Sequence, residues 1–265
     1  MAPSPSLRVS AVETTGAVAV TPHYLATTAA LELLAAGGNA VDAAVAANAV
    51  QGVVDPTTCG VGGDLFALVH TPGRLTPDAL NASGRGGAGL DAAAIRGAGH
   101  TSMPYRSPWT VTVPGCVDGW MALVERYASR PLGDLLAPAV RLAEEGFPVS
   151  ADLAAALDRL QGTIAGQPSG AALYPEARPP RPGEVLRRPE LAAVLRAVAA
   201  AGREAFYQGP VAEAMAAATR GVLTAPDLAR CQADWVEPLG LEVWGHRIWT
   251  MPPNSQGYLT AAAAW

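Results

Sequence analysis

Lysine is absent from this 265-residue chain. All 18 basic side chains are arginines, set against 23 carboxylates for a formal charge of -5. The arginines are scattered rather than striped, which argues against a surface that tracks nucleic-acid phosphates. Cysteine is scarce and odd in number. Cys59, Cys116 and Cys231 lie far apart, so neither a disulfide framework nor a CxxC metal site is indicated, and they read as small buried or half-buried residues. The four histidines, His23, His70, His100 and His246, have no mutual spacing for a metal site and fall in no defensible Ser, His and Asp pattern. No apolar run is long enough to span a bilayer, and Met1–Ser10 has no signal-like apolar core. The default location is cytoplasmic, or secreted or periplasmic if a leader precedes the chain.

What is abundant is small and apolar. Half the residues are hydrophobic, with 28 glycines and 23 prolines, enough to bury a sizeable core. Ala17–Val20 reads as a short strand and Tyr24–Ala36 as a helix stopped by Gly37-Gly38. Asn39 caps the next helix with Asp42 three positions on, in a capping-box arrangement, and this helix ends near Asp55-Pro56. The turn Cys59–Asp64 leads into a strand at Leu65–His70, and another strand precedes Asn81. Val111–Val113 reads as a strand broken by Pro114-Gly115, followed by helices at Val117–Ala128 and Leu135–Glu145. Gly162–Gly183 is a long exposed loop. Helices resume at Glu190–Ala201 and Val211–Ala218, Thr224 caps a turn at Pro226–Arg230, and Trp235–Thr250 reads as strands. Tyr258–Trp265 begins an apolar helix with no stop signal, so the chain is expected to be one part of a larger protein. Pattern alone gives a mixed helix and strand, α+β, chain.

Several blocks, in order, carry a resemblance. Leu33–Ala47 contains Gly-Gly-Asn-Ala-Val-Asp-Ala-Ala-Val-Ala. Val54-Asp55-Pro56 and Gly60–Asp64 follow, then Val111–Trp120, Leu136–Ala139 and Ala143–Val149. Gly202–Gly209, Gly221–Thr224 and Pro252–Gly257 complete the series. Together they resemble the large subunit of γ-glutamyltranspeptidases over roughly the whole chain, residues 1–265. The resemblance implies an N-terminal nucleophile hydrolase fold, an αββα sandwich incomplete in this chain. It also implies a precursor that cleaves itself into a large and a small subunit. Such enzymes transfer or hydrolyse a γ-glutamyl group, typically from glutathione, through an acyl-enzyme on a threonine, with no metal or organic cofactor.

That threonine opens the family's small subunit and is expected beyond Trp265, so no catalytic residue is assigned here. Thr21, in Thr21-Pro22-His23, looks like the cleavage-site threonine but precedes the Gly-Gly-Asn block and is read as a decoy. The substrate-binding candidate is Arg85, in Asn81–Gly86, where the family places an arginine that binds the α-carboxylate of the γ-glutamyl group. A planar guanidinium suits this because it can make two parallel hydrogen bonds to a carboxylate. Gly86-Gly87-Ala88-Gly89 departs from the glutathione-processing version and is nearer to the acylase branch, which leaves glutaryl or cephalosporin-type amides open. A catalytically inactive remnant that only binds γ-glutamyl ligands is a further alternative. The implied partners are a small-molecule γ-glutamyl substrate and a small subunit from the same precursor, with no nucleic acid and no membrane. Gly60, Gly62 and Gly63, without a following lysine, read as a tight turn rather than a phosphate cradle. Asp118 and Trp120 read as a helix-dipole partner and a core anchor.

Overall fold

A computed structural model describes residues 13–167 and 169–265. The chain opens with an antiparallel helix pair, α1 (Tyr24–Ala35) and α2 (Ala40–Val54). The hairpin β1 (Leu65–Val69) and β2 (Asp78–Ala82) follows, then the short α3 (Ala92–Gly97), α4 (Cys116–Tyr127) and α5 (Leu132–Glu145). Next come β3 (Phe147–Pro148), α6 (Ala151–Ile164), β4 (Val185–Leu186), α7 (Pro189–Ala201), α8 (Glu204–Tyr207), α9 (Gly209–Ala218) and α10 (Ala225–Ala229). The strands β5 (Asp234–Val236), β6 (Leu239–Val243) and β7 (His246–Thr250) precede α11 (Gly257–Ala264).

The core is built on α2, which buries 12 of its 15 residues and so sits inside the helix layer rather than on its surface. Its alanines let neighbours approach closely, and α1, α4 and α5 all pack on it. In turn α7 packs on α5, while α4 lies against β1 and β2. The sheet runs β1-β2-β5, all antiparallel, with Leu65 opposite Ala82 and Asn81 opposite Asp234. Trp120, 1 % exposed, lies in the core, and its indole N–H donates to Asn48 Oδ1 on α2 at 2.8 Å. The anchor role read for Trp120 is therefore its position in the structure.

The start of α2 follows the expected capping box. Asn39 Oδ1 accepts from the amides of Val41 and Asp42, while Asp42 Oδ2 accepts from the Asn39 amide at 2.7 Å. The glycine-rich turn at 60–63 packs beneath α4: the Gly63 carbonyl accepts from the amides of Gly115 and Cys116 at 2.9 and 3.0 Å. These are orphan donors of a helix start, satisfied here by backbone rather than by an anion.

Four local expectations fail. Ala17–Val20 forms no strand; Val18 and Val20 are exposed, and an extended segment without a neighbour to share a ladder is not a strand. Val111–Val113 reduces to one isolated bridge, Thr112 to Gly86, because a 3-10 turn at Pro108–Thr110 precedes it and Pro114, lacking an N–H, follows. The loop expected from Gly162 starts after Ile164, since α6 carries through Gly162. Ser150 caps α6, and Leu153 and Leu157, one turn apart, bury its face, a signal the composition of the flanking loop obscured. Cys231 is exposed rather than buried.

Candidate functional site

Arg85 follows β2 by three residues. The chain reaches it through Gly84, whose φ of +78° and close approach to Val113 leave no room for a side chain: a Cβ there would lie 1.8 Å from the Val113 carbonyl oxygen. The Arg85 carbonyl accepts from the Val113 amide at 2.9 Å, and its amide donates to Gln232 Oε1 at 3.0 Å. The guanidinium is held at two of its nitrogens. Nη1 donates to the Cys231 carbonyl at 2.7 Å, and Nη2 forms an ion pair with Asp234. The pair faces solvent, with side-chain exposures of 32 % for Arg85 and 57 % for Asp234.

Beside it lies a polar cluster drawn from two distant parts of the chain. Asn81 Nδ2 donates to Asn254 Oδ1 at 3.0 Å, Asn254 Nδ2 donates to Ser83 Oγ at 2.8 Å, and the Ser83 amide donates to Asn81 Oδ1 at 3.1 Å. The block Pro252–Gly257 thus docks on the segment that carries Arg85, 173 residues away for the Asn81–Asn254 contact. Two amides in fixed orientation and a serine hydroxyl give neutral donors and acceptors next to one cationic fork. This combination suits a small anionic ligand with polar substituents.

Behind Arg85 lies a charged pair, buried Asp118 and half-buried Arg203. Asp118, 1 % exposed at its side chain, accepts from the Gln232 amide at 2.7 Å and meets Arg203 Nε at 2.8 Å, an ionic contact outside hydrogen-bond geometry. Burial raises the Asp118 carboxyl above its usual range, against the Gln232 amide and the Arg203 charge, which lower it. The Arg203 guanidinium also lies over the Tyr207 ring, 4.6 Å from its centroid. Tyr207 donates its O–H to the Pro114 carbonyl at 2.7 Å and accepts from the Asp118 amide at 3.1 Å. Asp118 is therefore more than a dipole partner for α4: it ties α4 to the segment that follows α10.

The other sequence candidates lie elsewhere. Thr21 Oγ1 donates to the His23 carbonyl and shares a hydrogen bond with Thr27 Oγ1, both at 2.7 Å, so it serves the start of α1 and makes none of the contacts around Arg85. His23 caps α1 through Nδ1, and burial lowers its basicity. His70 bonds the Arg74 carbonyl, and His100 packs edge-on to Trp109. Among the described residues, no three His, Cys, Asp or Glu side chains converge as metal ligands. Gln232, Asp234 and Asn254 were not singled out by sequence reasoning. Only Asn254 had a signal, its place in the Pro252–Gly257 block; the other two are brought to Arg85 from 147 and 149 residues away by the pairing of β2 with β5.

Comparison with known proteins agrees with this architecture. A glutathione hydrolase-like YwrD proenzyme from Bacillus subtilis is 36 % identical over 244 residues, 90 % of this chain and 46 % of its own length. An oxamate amidohydrolase proenzyme from Klebsiella pneumoniae is 37 % identical over 258 residues, 94 % of this chain and 48 % of its own. The crystal structure of a cephalosporin acylase from Bacillus halodurans superimposes with a TM-score of 0.84 at 40 % identity, covering 91 % of this chain and 46 % of that one. The chain thus spans about half the length of the curated relatives it matches. Its fold is the family's N-terminal nucleophile hydrolase fold of mixed helix and sheet. The gamma-glutamyltranspeptidase family model matches residues 26–264, and the chain belongs to that family.

Proposed function

We propose that this chain is the large-subunit portion of a self-processing enzyme that transfers or hydrolyses γ-glutamyl groups, with Arg85 gripping the α-carboxylate of the acyl part. The observation that carries this reading is the placement of Arg85: an arginine fixed at its backbone, its guanidinium half open to solvent, beside the neutral cluster of Asn81, Ser83 and Asn254. The nucleophile is a threonine on a segment beyond Trp265, freed when the precursor cleaves itself. Relatives described as proenzymes support that arrangement. Threonine Oγ attacks the amide carbonyl, the amine leaves with a proton, and water or a second amine takes the acyl group from the ester. A carboxylate held by Arg85 fixes the acyl chain, so that the carbonyl is presented in one orientation.

A second reading has its own observation. Gly86-Gly87-Ala88-Gly89 follows Arg85, and the cephalosporin acylase is 40 % identical, which favours an acylase acting on glutaryl or cephalosporin-type amides. The two readings share the clamp. A γ-glutamyl amide, a glutaryl amide and oxamate each carry a carboxylate on the acyl side, so Arg85 recognises what they have in common and leaves the amino group to be read elsewhere.

The test is release of nitroaniline from γ-glutamyl and glutaryl anilides by the protein assembled with its nucleophile-bearing segment. The first reading expects the γ-glutamyl anilide to be the better substrate; turnover of the glutaryl anilide alone would replace it by the second. A charge-assisted hydrogen-bonded contact contributes about 1.5–3 kcal/mol, so Arg85→Ala is expected to lower kcat/KM by about 10- to 100-fold on either anilide. Unchanged kcat/KM in that variant would sink both.

A further inference from the structure

We propose that Gln232 is a positioning residue that sets the aim of Arg85; this rests on the reading of Arg85 as a carboxylate clamp. Gln232 is 2 % exposed and every polar atom of its side chain is engaged. Its Nε2 donates to the Arg230 carbonyl at 2.7 Å and to the Asp227 carbonyl at 3.1 Å, carbonyls left unpaired as α10 ends. Its Oε1 accepts from the Arg85 amide at 3.0 Å. Its own amide is fixed on buried Asp118 at 2.7 Å, and Asp118 is held against Arg203. The neighbours of Gln232 hold the other end of the same arginine: the Cys231 carbonyl takes Nη1 and Asp234 takes Nη2. One four-residue stretch therefore grips Arg85 at its backbone and at its guanidinium.

The rest of the loop is laid on the part of the chain just before that stretch, at Val222 and Asp227. The Ala88 amide donates to Asp227 Oδ2 at 3.0 Å and the Gly89 amide to the Val222 carbonyl at 3.1 Å. At Gly87 a Cβ would lie 2.1 Å from the Val222 carbonyl oxygen, so glycine is what allows this approach. A two-point contact to a carboxylate tolerates displacements of about 0.5 Å. The bond from Gln232 is the one contact in this set that joins the Arg85 backbone to buried Asp118 and its partner Arg203, and so transmits that rigidity to the clamp.

The experiment is steady-state kinetics of the assembled protein on a carboxylate-bearing anilide, with thermal midpoints measured alongside. Gln232→Met, close in size but without the amide, is expected to raise KM about tenfold, with kcat within about twofold. In an Arg85→Ala background the same change is expected to add nothing further, because it acts through Arg85. Gln232→Asn keeps the amide but shortens it by one methylene, which withdraws the acceptor from the Arg85 amide, and is expected to raise KM about fivefold; it carries the test if the Met variant does not fold. As a stability control, Tyr174→Phe removes a buried hydrogen bond to the Leu157 carbonyl and is expected to lower the midpoint with KM unmoved. An unchanged KM in Gln232→Met or in Gln232→Asn, or a rise of equal size in the Arg85→Ala background, would overturn the proposal. Arg85→Ala alone separates the two claims. If it leaves KM unchanged, the clamp reading fails first; if it raises KM while Gln232→Met does not, only the positioning role fails.

Discussion

At the scale of single residues, Arg85 already holds a carboxylate, that of Asp234. On the proposed clamp reading, a substrate carboxylate must share the guanidinium with this neighbour or displace it. The pair is partly open to water, and ion pairs that face solvent contribute at most about 1 kcal/mol, so the competition is weak enough to be overcome on binding. Asp234→Asn removes the competing charge and is expected to lower KM for carboxylate-bearing anilides by up to about fivefold, with the gain shrinking as salt is added. A KM that rises in that variant, measured across a salt series, would mean that Asp234 aims the guanidinium instead of competing for it. Arg85 is named as a candidate from sequence because it stands in a motif. Its partners are not: Gln232 and Asp234 sit in a stretch whose residue types resemble any polar turn, and their meaning arises only when β5 pairs with β2.

At the scale of elements, the start of α2 shows what local sequence can specify. Asn39 and Asp42 satisfy each other's amides across one helical turn, and the box is read directly from their spacing. What spacing did not reveal is the second use of Asp42. The same buried carboxylate accepts from the amides of Ser129 and Arg130, at 3.0 and 3.3 Å, and from the Ser129 hydroxyl, and so joins α2 to the turn between α4 and α5. Burial pushes this carboxyl up, but the Ser129 hydroxyl and the three amides outweigh it and hold it below its ordinary value. A depressed folded pKa contributes stability above the unfolded value of about 3.9, and that contribution is lost as pH falls through the lower folded value. Asp42→Ala strands several buried donors and is expected to cost about 3 kcal/mol at neutral pH. The gap between variant and parent in urea midpoints should narrow below about pH 4; a gap constant from pH 7 to pH 3 would show that the carboxylate charge is not what matters. By contrast, the segments misread from sequence, Ala17–Val20 and Val111–Val113, have strand-like residues but no partner that completes a ladder. Strand formation depends on the neighbour as well as on the segment.

At the scale of the whole molecule, the C-terminal part differs from the rest. Helix α11 buries none of its residues, and Leu239, Trp244, Tyr258, Leu259 and Trp265 are exposed across the β6–β7 hairpin and this helix. Among the described residues, both outer strands of the β1-β2-β5 sheet also present an unpaired edge. Exposed apolar area next to free sheet edges favours association with another chain. The curated relatives are about twice as long as this chain, and the proposed small subunit is the natural cover for these surfaces. The chain alone is then expected to self-associate, whereas co-expression with the segment proposed to follow it should give a single species of defined mass. Light scattering on both preparations, over a concentration series, checks this. A chain that is monomeric by itself and melts cooperatively would show that the helix layer around α2 suffices for a stable unit. In that case the small subunit would be needed for the nucleophile it carries and not for the fold it completes.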